Sequence, residues 1–240
     1  MNREEFIEET KKIGINITEE IMNKFDIYIN FLIEYNEHTN LTAIKDYESI
    51  LLKHFFDSLM LEHYFDFKNT KRILDIGTGA GFPGMILAIM HQEIEVTLLD
   101  SNNKKLKFLE LLAEKINVKN IKIVHERAED YVNRERQKFD VVTSRAVSDL
   151  EILSELSIPF LKIGGYFIPL KGKIDDELNR SKEIIKNLGG NIKNIFNYEL
   201  IKENSTRNII LIEKVSDTPN KYPRNYSQIK RIVEKKTKIK

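Results

Sequence analysis

From Arg72 onward the chain repeats one texture: a short run that is apolar almost throughout, closed by an acid or a glycine, then a helix-length amphipathic stretch. The runs are RILDIG (72–77), EVTLLD (95–100), IKIVHE (121–126), FDVVTS (139–144), GYFIPLK (165–171), NIKNIFNYEL (191–200) and NIILIEK (208–214). Strands without a polar face must be covered on both sides, and the longer intervening stretches can carry crossover helices. The pattern predicts a doubly wound α/β sheet of seven mostly parallel strands. Only IKENSTR (201–207) joins the last two runs, which is too short for a crossover, so they are expected to form an antiparallel hairpin at the sheet edge. Before Lys71 the period changes. Phe6, Ile13, Ile17, Ile21, Phe25, Tyr28, Ile29, Leu32 and Ile33 recur at helical spacings, and Thr18-Glu19-Glu20 suits a helix start. The expected division is an N-terminal helical cap (1–68) packed on an α/β domain (69–216), followed by a basic tail (217–240).

Composition narrows the function. The longest apolar stretch, around Met85 to Met90, falls far short of the roughly 18 residues that a membrane span needs. The opening MNREEFIEETKK is charged and lacks the apolar core of a secretory signal, so a cytoplasmic location is expected. Absence of cysteine excludes disulfides, a thiol nucleophile and thiolate-bound metal, and the five histidines form no HExxH-type pair. No metal is expected. The formal charge of +1 conceals an asymmetry, because residues 217–240 hold eight Lys or Arg against two acids while the body holds 30 against 35. Such a tail is either a solvated end or a polyanion-binding element.

The densest local signal is Asp75-Ile-Gly77-Thr-Gly79-Ala-Gly81-Phe-Pro-Gly84, lying after a predicted strand and before an amphipathic helix. Glycines there allow a tight turn and close approach of a ligand to the backbone. Gly79-Ala-Gly81-Phe82-Pro83-Gly84 also satisfies the G-x-G-x-x-G of dinucleotide enzymes, a weak pattern by itself. Asp75 argues against a pyrophosphate at this turn and for a cationic ligand, such as the ammonium of S-adenosylmethionine. Asp100 is placed to accept hydrogen bonds from ribose hydroxyls, which either cofactor class carries. Arg127-Ala128-Glu129-Asp130 falls where an adenine-recognising turn would lie. Both acids could instead cap the helices that follow them, and Glu129 or Asp130 could mark a helix start.

Taken together, NLTAI (40–44), HFFDSL (54–59), DIGTGAGFPG (75–84), LLDSNNKKLKFL (98–109), RAED (127–130), SRAV (144–147), LKGK (170–173), RNIILIEK (207–214) and YPR (222–224) resemble the small-subunit (16S) ribosomal RNA guanine-N7 methyltransferases, first named glucose-inhibited division protein B. The resemblance implies a class I S-adenosylmethionine-dependent methyltransferase fold, S-adenosylmethionine as cofactor and S-adenosylhomocysteine as product. It implies small-subunit ribosomal RNA or the ribosomal subunit as partner and 7-methylguanosine as the modified nucleoside; a monomer is expected, although the sequence leaves the oligomeric state open. By the same resemblance Gly77, Gly79, Gly81 and Phe82 would cradle the methionine part, Asp100 the ribose, and Ala128 and Glu129 the adenine. Arg145 would lie beside the methyl group and the target as the catalytic residue. His54, Lys171, Arg207 and Arg224 are the candidate RNA contacts.

Each of these residues also has a plainer reading. Arg145 could form an ion pair with an acid such as Asp149, Phe82 could be core, and His54 with Asp57 could be a structural pair on one helix. Asn40 and Thr42 could be a turn and cap, and Lys171 and Arg207 solvated edge charges. The chemistry agrees with the resemblance. Guanine N7 offers a lone pair and carries no proton, so methyl transfer to it needs positioning rather than a base. The fourth run ends in Ser144-Arg145-Ala146 and lacks the Asp/Asn-Pro-Pro-Tyr/Phe of exocyclic-amine methyltransferases. The alternatives are a methyltransferase acting on another RNA or a small molecule, and a non-catalytic RNA-binding module for ribosome assembly.

Overall fold

In the computed structural model, the described residues are 1–145, 148–203 and 205–238. Ala146 and Val147 of the SRAV motif, Asn204 of the hairpin connection, and Ile239 and Lys240 of the tail lie outside them. Helix α1 (Arg3–Lys12) starts where the Asn2 side chain accepts from the Glu5 amide at 2.9 Å and the Glu5 carboxylate accepts from the Asn2 amide at 3.2 Å, so two orphan donors are satisfied reciprocally. Helix α2 (Glu19–Thr39) starts on the Thr18 hydroxyl, as its sequence suggested, and ends at Asn40 with a left-handed φ of 52°. One further helical stretch follows in three parts: α3 (Tyr47–Ile50), a π-helical turn (Leu51–Phe56) and α4 (Asp57–Tyr64).

The sheet contains β1 (Arg72–Ile76), β2 (Glu95–Asp100), β3 (Ile121–His125), β4 (Phe139–Arg145), β5 (Leu161–Lys171), β6 (Gly190–Glu199) and β7 (Thr206–Lys214). Their order is β3-β2-β1-β4-β5-β7-β6, with β1 to β5 parallel and β7 antiparallel to both its neighbours. The seven strands and the final hairpin match the sequence pattern. β5 starts four residues before the predicted run, because Leu161 pairs with Phe139 before a register shift restores the ladder at Val141 and Tyr166. The order in which strands are added reverses between β1 and β4, and at such a switch point the carboxyl ends of the strands open a crevice.

Helices α5 (Gly84–Met90) and α6 (Asn103–Lys115) share one apolar cluster with the cap, including Phe6, Phe25, Tyr28, Phe55, Ile73, Val96 and Phe108. Full burial of each large side chain is worth about 1.5–3 kcal/mol, so the cap is bound by the same core that covers the sheet. Helices α7 (Ala128–Glu135), α8 (Leu150–Ser157) and α9 (Asp175–Asn187) belong to the second cluster. Helix α10 (Tyr226–Lys238) joins them with Ile229 and Val233 buried. The described part of the basic segment is thus a docked helix and not a solvated end. Thr218 is buried and its hydroxyl donates to the Leu188 carbonyl at 2.7 Å.

Candidate active site

The loop between β1 and α5 is built on one carboxylate. Asp75 is fully buried, and its Oδ2 accepts from the Thr78 hydroxyl at 2.7 Å and the Gly84 amide at 2.9 Å. Burial raises its pKa to about 6 against the lowering effect of those two bonds. Six other amides here also have partners. Gly77 and Thr78 donate to the Leu99 carbonyl, Gly81 and Phe82 to the Thr78 carbonyl, Met85 to the Gly81 carbonyl, and Gly79 to Asp100 Oδ2 at 3.0 Å. A pyrophosphate would therefore find the start of α5 already engaged by a carboxylate. Gly81 (φ 99°) is required by packing, because a Cβ there would come within 2.5 Å of the Tyr28 hydroxyl and 2.8 Å of Leu109. Gly79 (φ 60°) is different: a Cβ there meets nothing closer than the Gly77 carbonyl, at 3.8 Å.

That open space belongs to a cavity of about 430 Å³ at the carboxyl ends of β1, β2 and β4, within the size range of small-molecule sites. Gly77, Thr78, Gly79 and Ala80 form one wall, Asp100 and Ser101 another, and Glu126 to Glu129 at the start of α7 a third. Asp100 is fixed by the amides of Gly79 and Asn102 (2.9 Å), which leaves further lone pairs on each oxygen for a ligand's hydroxyls.

Arg145, at the end of β4, closes the cavity toward the cap. Its Nη1 donates to the Lys53 carbonyl at 3.0 Å and to Asp57 Oδ2 at 3.2 Å, and its Nη2 lies 3.0 Å from His54 Nδ1. His54 Nδ1 faces two groups, the guanidinium, which can only donate, at 3.0 Å and the Lys53 carbonyl at 3.2 Å; the nearer, charged donor assigns Nδ1 as acceptor and puts the proton on Nε2, 2.9 Å from the Thr42 hydroxyl. Burial, then the Arg145 charge, pushes the His54 pKa down to about 3. The imidazole is neutral and neither nitrogen has a free lone pair. Phe82 joins the glycine loop to the cap: its ring stacks on Tyr28 (centroids 5.2 Å, 3° apart) and on His54 (4.7 Å), with the Arg145 guanidinium 5.0 Å from its centre. The Tyr28 hydroxyl in turn donates to the Ala80 carbonyl in the glycine loop.

A second cavity of about 290 Å³ adjoins the first and shares His54 and Arg145 with it. Ile44, Lys53, Asp57, Leu170, Lys171, Gly172 and Arg207 complete its walls. Asp57 organises this side. Its Oδ1 accepts from the Tyr198 hydroxyl at 2.8 Å and lies 3.6 Å from Arg207 Nε, while Oδ2 holds Arg145. Burial and the neighbouring carboxylate raise the Tyr198 pKa, so the phenol remains a donor.

Comparison with known proteins now decides the family. The family described as rRNA small subunit methyltransferase G matches residues 21–209. The ribosomal RNA small subunit methyltransferase G of Clostridium tetani is 41% identical over 220 residues, covering 90% of this chain and 92% of that protein. Its counterpart in Bacillus subtilis is 41% identical over 227 residues, covering 93% and 95%. The chain belongs to this family. The fold has relatives at low identity: a SAM-dependent methyltransferase from Aquifex aeolicus (16% identical, TM-score 0.56, covering 73% of this chain and 97% of that one) and the YcgJ protein of Bacillus subtilis (13%, 0.54, 68% and 100%). The seven-stranded sheet with its reversed final hairpin is the methyltransferase architecture of this group.

Within this family member the predicted site residues divide into three groups. Gly77, Gly79, Phe82, Asp100, Ala128, Glu129 and Arg145 line the first cavity, and His54, Arg145, Lys171 and Arg207 line the second. Asp75 and Gly81 line neither. The Asp75 carboxylate lies beneath the loop and holds it, a different place from the ligand ammonium contact that its charge suggested. Arg224 stands apart from the other RNA candidates, its guanidinium committed to the buried Glu155 at 2.6 and 2.8 Å. Lys171 is in the second cavity wall, yet its ammonium is held by Glu177 (2.7 Å) and the Ser148 carbonyl (2.6 Å). The acid paired with Arg145 is Asp57; Asp149 instead takes Arg180 at 2.7 Å. Asn40 takes its plainer reading, a left-handed turn residue after α2, and the Asn36 side chain clamps the Thr42 backbone at 2.9 and 3.0 Å. Tyr28, Tyr198 and Tyr226 were not singled out by sequence. Their signal lies only in distances along the chain that the fold closes.

Proposed function

We propose that the protein transfers a methyl group from S-adenosylmethionine to N7 of a guanine in small-subunit ribosomal RNA. One observation carries the reading: two adjoining cavities of ligand size share a single boundary, made by His54 and Arg145. The first would hold the cofactor. Its walls fit that group, with a glycine surface that a Cβ would obstruct, the fixed Asp100 carboxylate for the ribose hydroxyls, and Ala128 with Glu129 for the base. When bound, S-adenosylmethionine supplies an electrophilic methyl whose carbon–sulfur bond breaks as the carbon–nitrogen bond forms, the electron pair returning to sulfur.

This chain's residues have one task in that step, which is positioning. Arg145 is held by Lys53, His54 and Asp57, and its planar guanidinium can present hydrogen bonds to a guanine edge or a phosphate. His54 donates through Nε2 and accepts through Nδ1, so it orients Arg145 and removes no proton. Asp57 is occupied by Arg145, Tyr198 and Arg207. A boundary whose basic groups, His54 and Asp57, are both engaged suits N7, which attacks through its own lone pair and releases no proton. The Arg207 guanidinium on the far wall supplies charge for the RNA backbone.

The test uses methyl-labelled S-adenosylmethionine and small ribosomal subunits from a strain lacking its own enzyme, followed by nucleoside mapping. Label in 7-methylguanosine at one small-subunit position is the expected result. Label in an N1-, N2- or O-methylated nucleoside would overturn the N7 assignment.

A further inference from the structure

One residue of the first cavity comes from the C-terminal segment, beyond both the sheet and the cap. Tyr226, the first residue of α10, lines it beside Arg127, Ala128 and Glu129, and the Arg127 guanidinium lies 6.0 Å from the centre of the Tyr226 ring. The segment leading to it is anchored from two sides. Arg224 gives Glu155 three hydrogen bonds, from its amide (2.7 Å), Nε (2.8 Å) and Nη2 (2.6 Å), and Glu155 is completely buried in α8. Arg136 donates to the Tyr222 carbonyl. Further along, Ile229 and Val233 bury their side chains, and Lys236 reaches the buried Glu151 of α8 at 2.6 Å. Two buried carboxylates on one helix would be costly without cationic partners. The C-terminal segment supplies one to each, so α8 is built to receive it.

We propose that the C-terminal segment is part of the cofactor site: Tyr226 is a cofactor-binding residue that covers the adenine end, and the Arg224–Glu155 pair is the positioning contact that holds it there. The inference rests on reading the first cavity as the cofactor's. Tyr226 supplies an aromatic face next to the Ala128–Glu129 turn, where a nucleobase gains most from a flat apolar partner.

The experiment measures binding of S-adenosylhomocysteine and of adenosine to the full chain by calorimetry. Tyr226→Ala is expected to weaken both about tenfold, because the lost contact is to the base they share. Tyr226→Phe keeps the ring and is expected to bind within twofold of wild type, which a role through the hydroxyl would not allow. The chain contains no tryptophan, so Tyr226→Trp gives a single emission reporter at the site. Its emission is expected to shift on addition of S-adenosylhomocysteine. Adding Arg224→Ala should move the unliganded emission to that of a solvent-exposed indole and weaken binding. Wild-type affinity in Tyr226→Ala, or a silent reporter in a variant that binds, would overturn the inference alone. Failure of the wild-type chain to bind S-adenosylhomocysteine would overturn the reading of the cavity and this inference with it.

Discussion

At the scale of single residues, Gly79 and Arg145 make opposite demands. Gly79 has a left-handed backbone and open space where a side chain would go, and that space is the cavity. Gly79→Asp is therefore expected to abolish S-adenosylhomocysteine binding while the chain stays folded. Calorimetry on a variant with a native far-UV spectrum checks this, and retained affinity would remove Gly79 from the site. Arg145 is largely buried against a more deeply buried Asp57, and removing one partner of such a pair costs about 3–5 kcal/mol. Arg145→Ala would thus confuse catalysis with folding. Arg145→Lys keeps the charge but cannot reach Lys53, His54 and Asp57 together, so the single-turnover rate is expected to fall at least tenfold with thermal stability largely kept. A variant as fast as wild type would reduce Arg145 to a structural ion. Arg145 was singled out by the family resemblance and by its place at a strand end. Its partner was not, since Asp57 lies 88 residues away and nearer acids such as Asp149 were equally eligible until the fold chose.

Among the elements, the glycine loop and the π-turn hold buried groups whose titrations oppose each other. His54, in the π-turn, has its folded pKa lowered to about 3 from 6.5. The unfolded chain therefore binds the extra proton, and the stability due to burying neutral His54 is full above pH 6.5 and lost as pH falls toward 3. Asp75, beneath the loop, has its folded pKa raised from 3.8 to about 6. Here the folded chain binds the extra proton, and its contribution is full below pH 3.8 and lost as pH rises to 6. Between pH 4 and 6 the two slopes partly cancel. Asp75→Asn removes one of them, so its unfolding midpoint in urea is expected to fall more steeply than that of wild type from pH 6 to pH 4. Parallel profiles would show that Asp75 titrates normally. The elements themselves were largely legible: apolar runs marked the strands and glycine spacing marked the loop. The π-turn was not, because LLKHFF reads as ordinary helix and only its packing at Arg145 and Phe82 distinguishes the wider turn.

Across the whole molecule, the charge asymmetry acquires a geometry. The basic segment docks as α10, with Ile229 and Val233 inward and Lys236 on Glu151, while Arg231 and Lys235 are exposed one turn apart. The sequence showed the excess of cations; which of them face solvent depended on α8 offering Glu151 and Glu155 to Lys236 and Arg224. An outward basic helix near the first cavity fits a polyanionic partner, and such contacts announce themselves through salt. Each phosphate neutralised adds roughly 0.7–0.9 to the slope of log affinity against log salt concentration. Replacing Arg231 and Lys235 together with alanine is expected to lower that slope by about 1.4–1.8 for small-subunit ribosomal RNA. S-adenosylhomocysteine affinity should stay unchanged, because neither residue lines the cavity. The measurement is a filter-binding titration at several salt concentrations. An unchanged slope would place the RNA on the other side of the site, at Arg207 and the second cavity, and leave α10 only its part in closing the first.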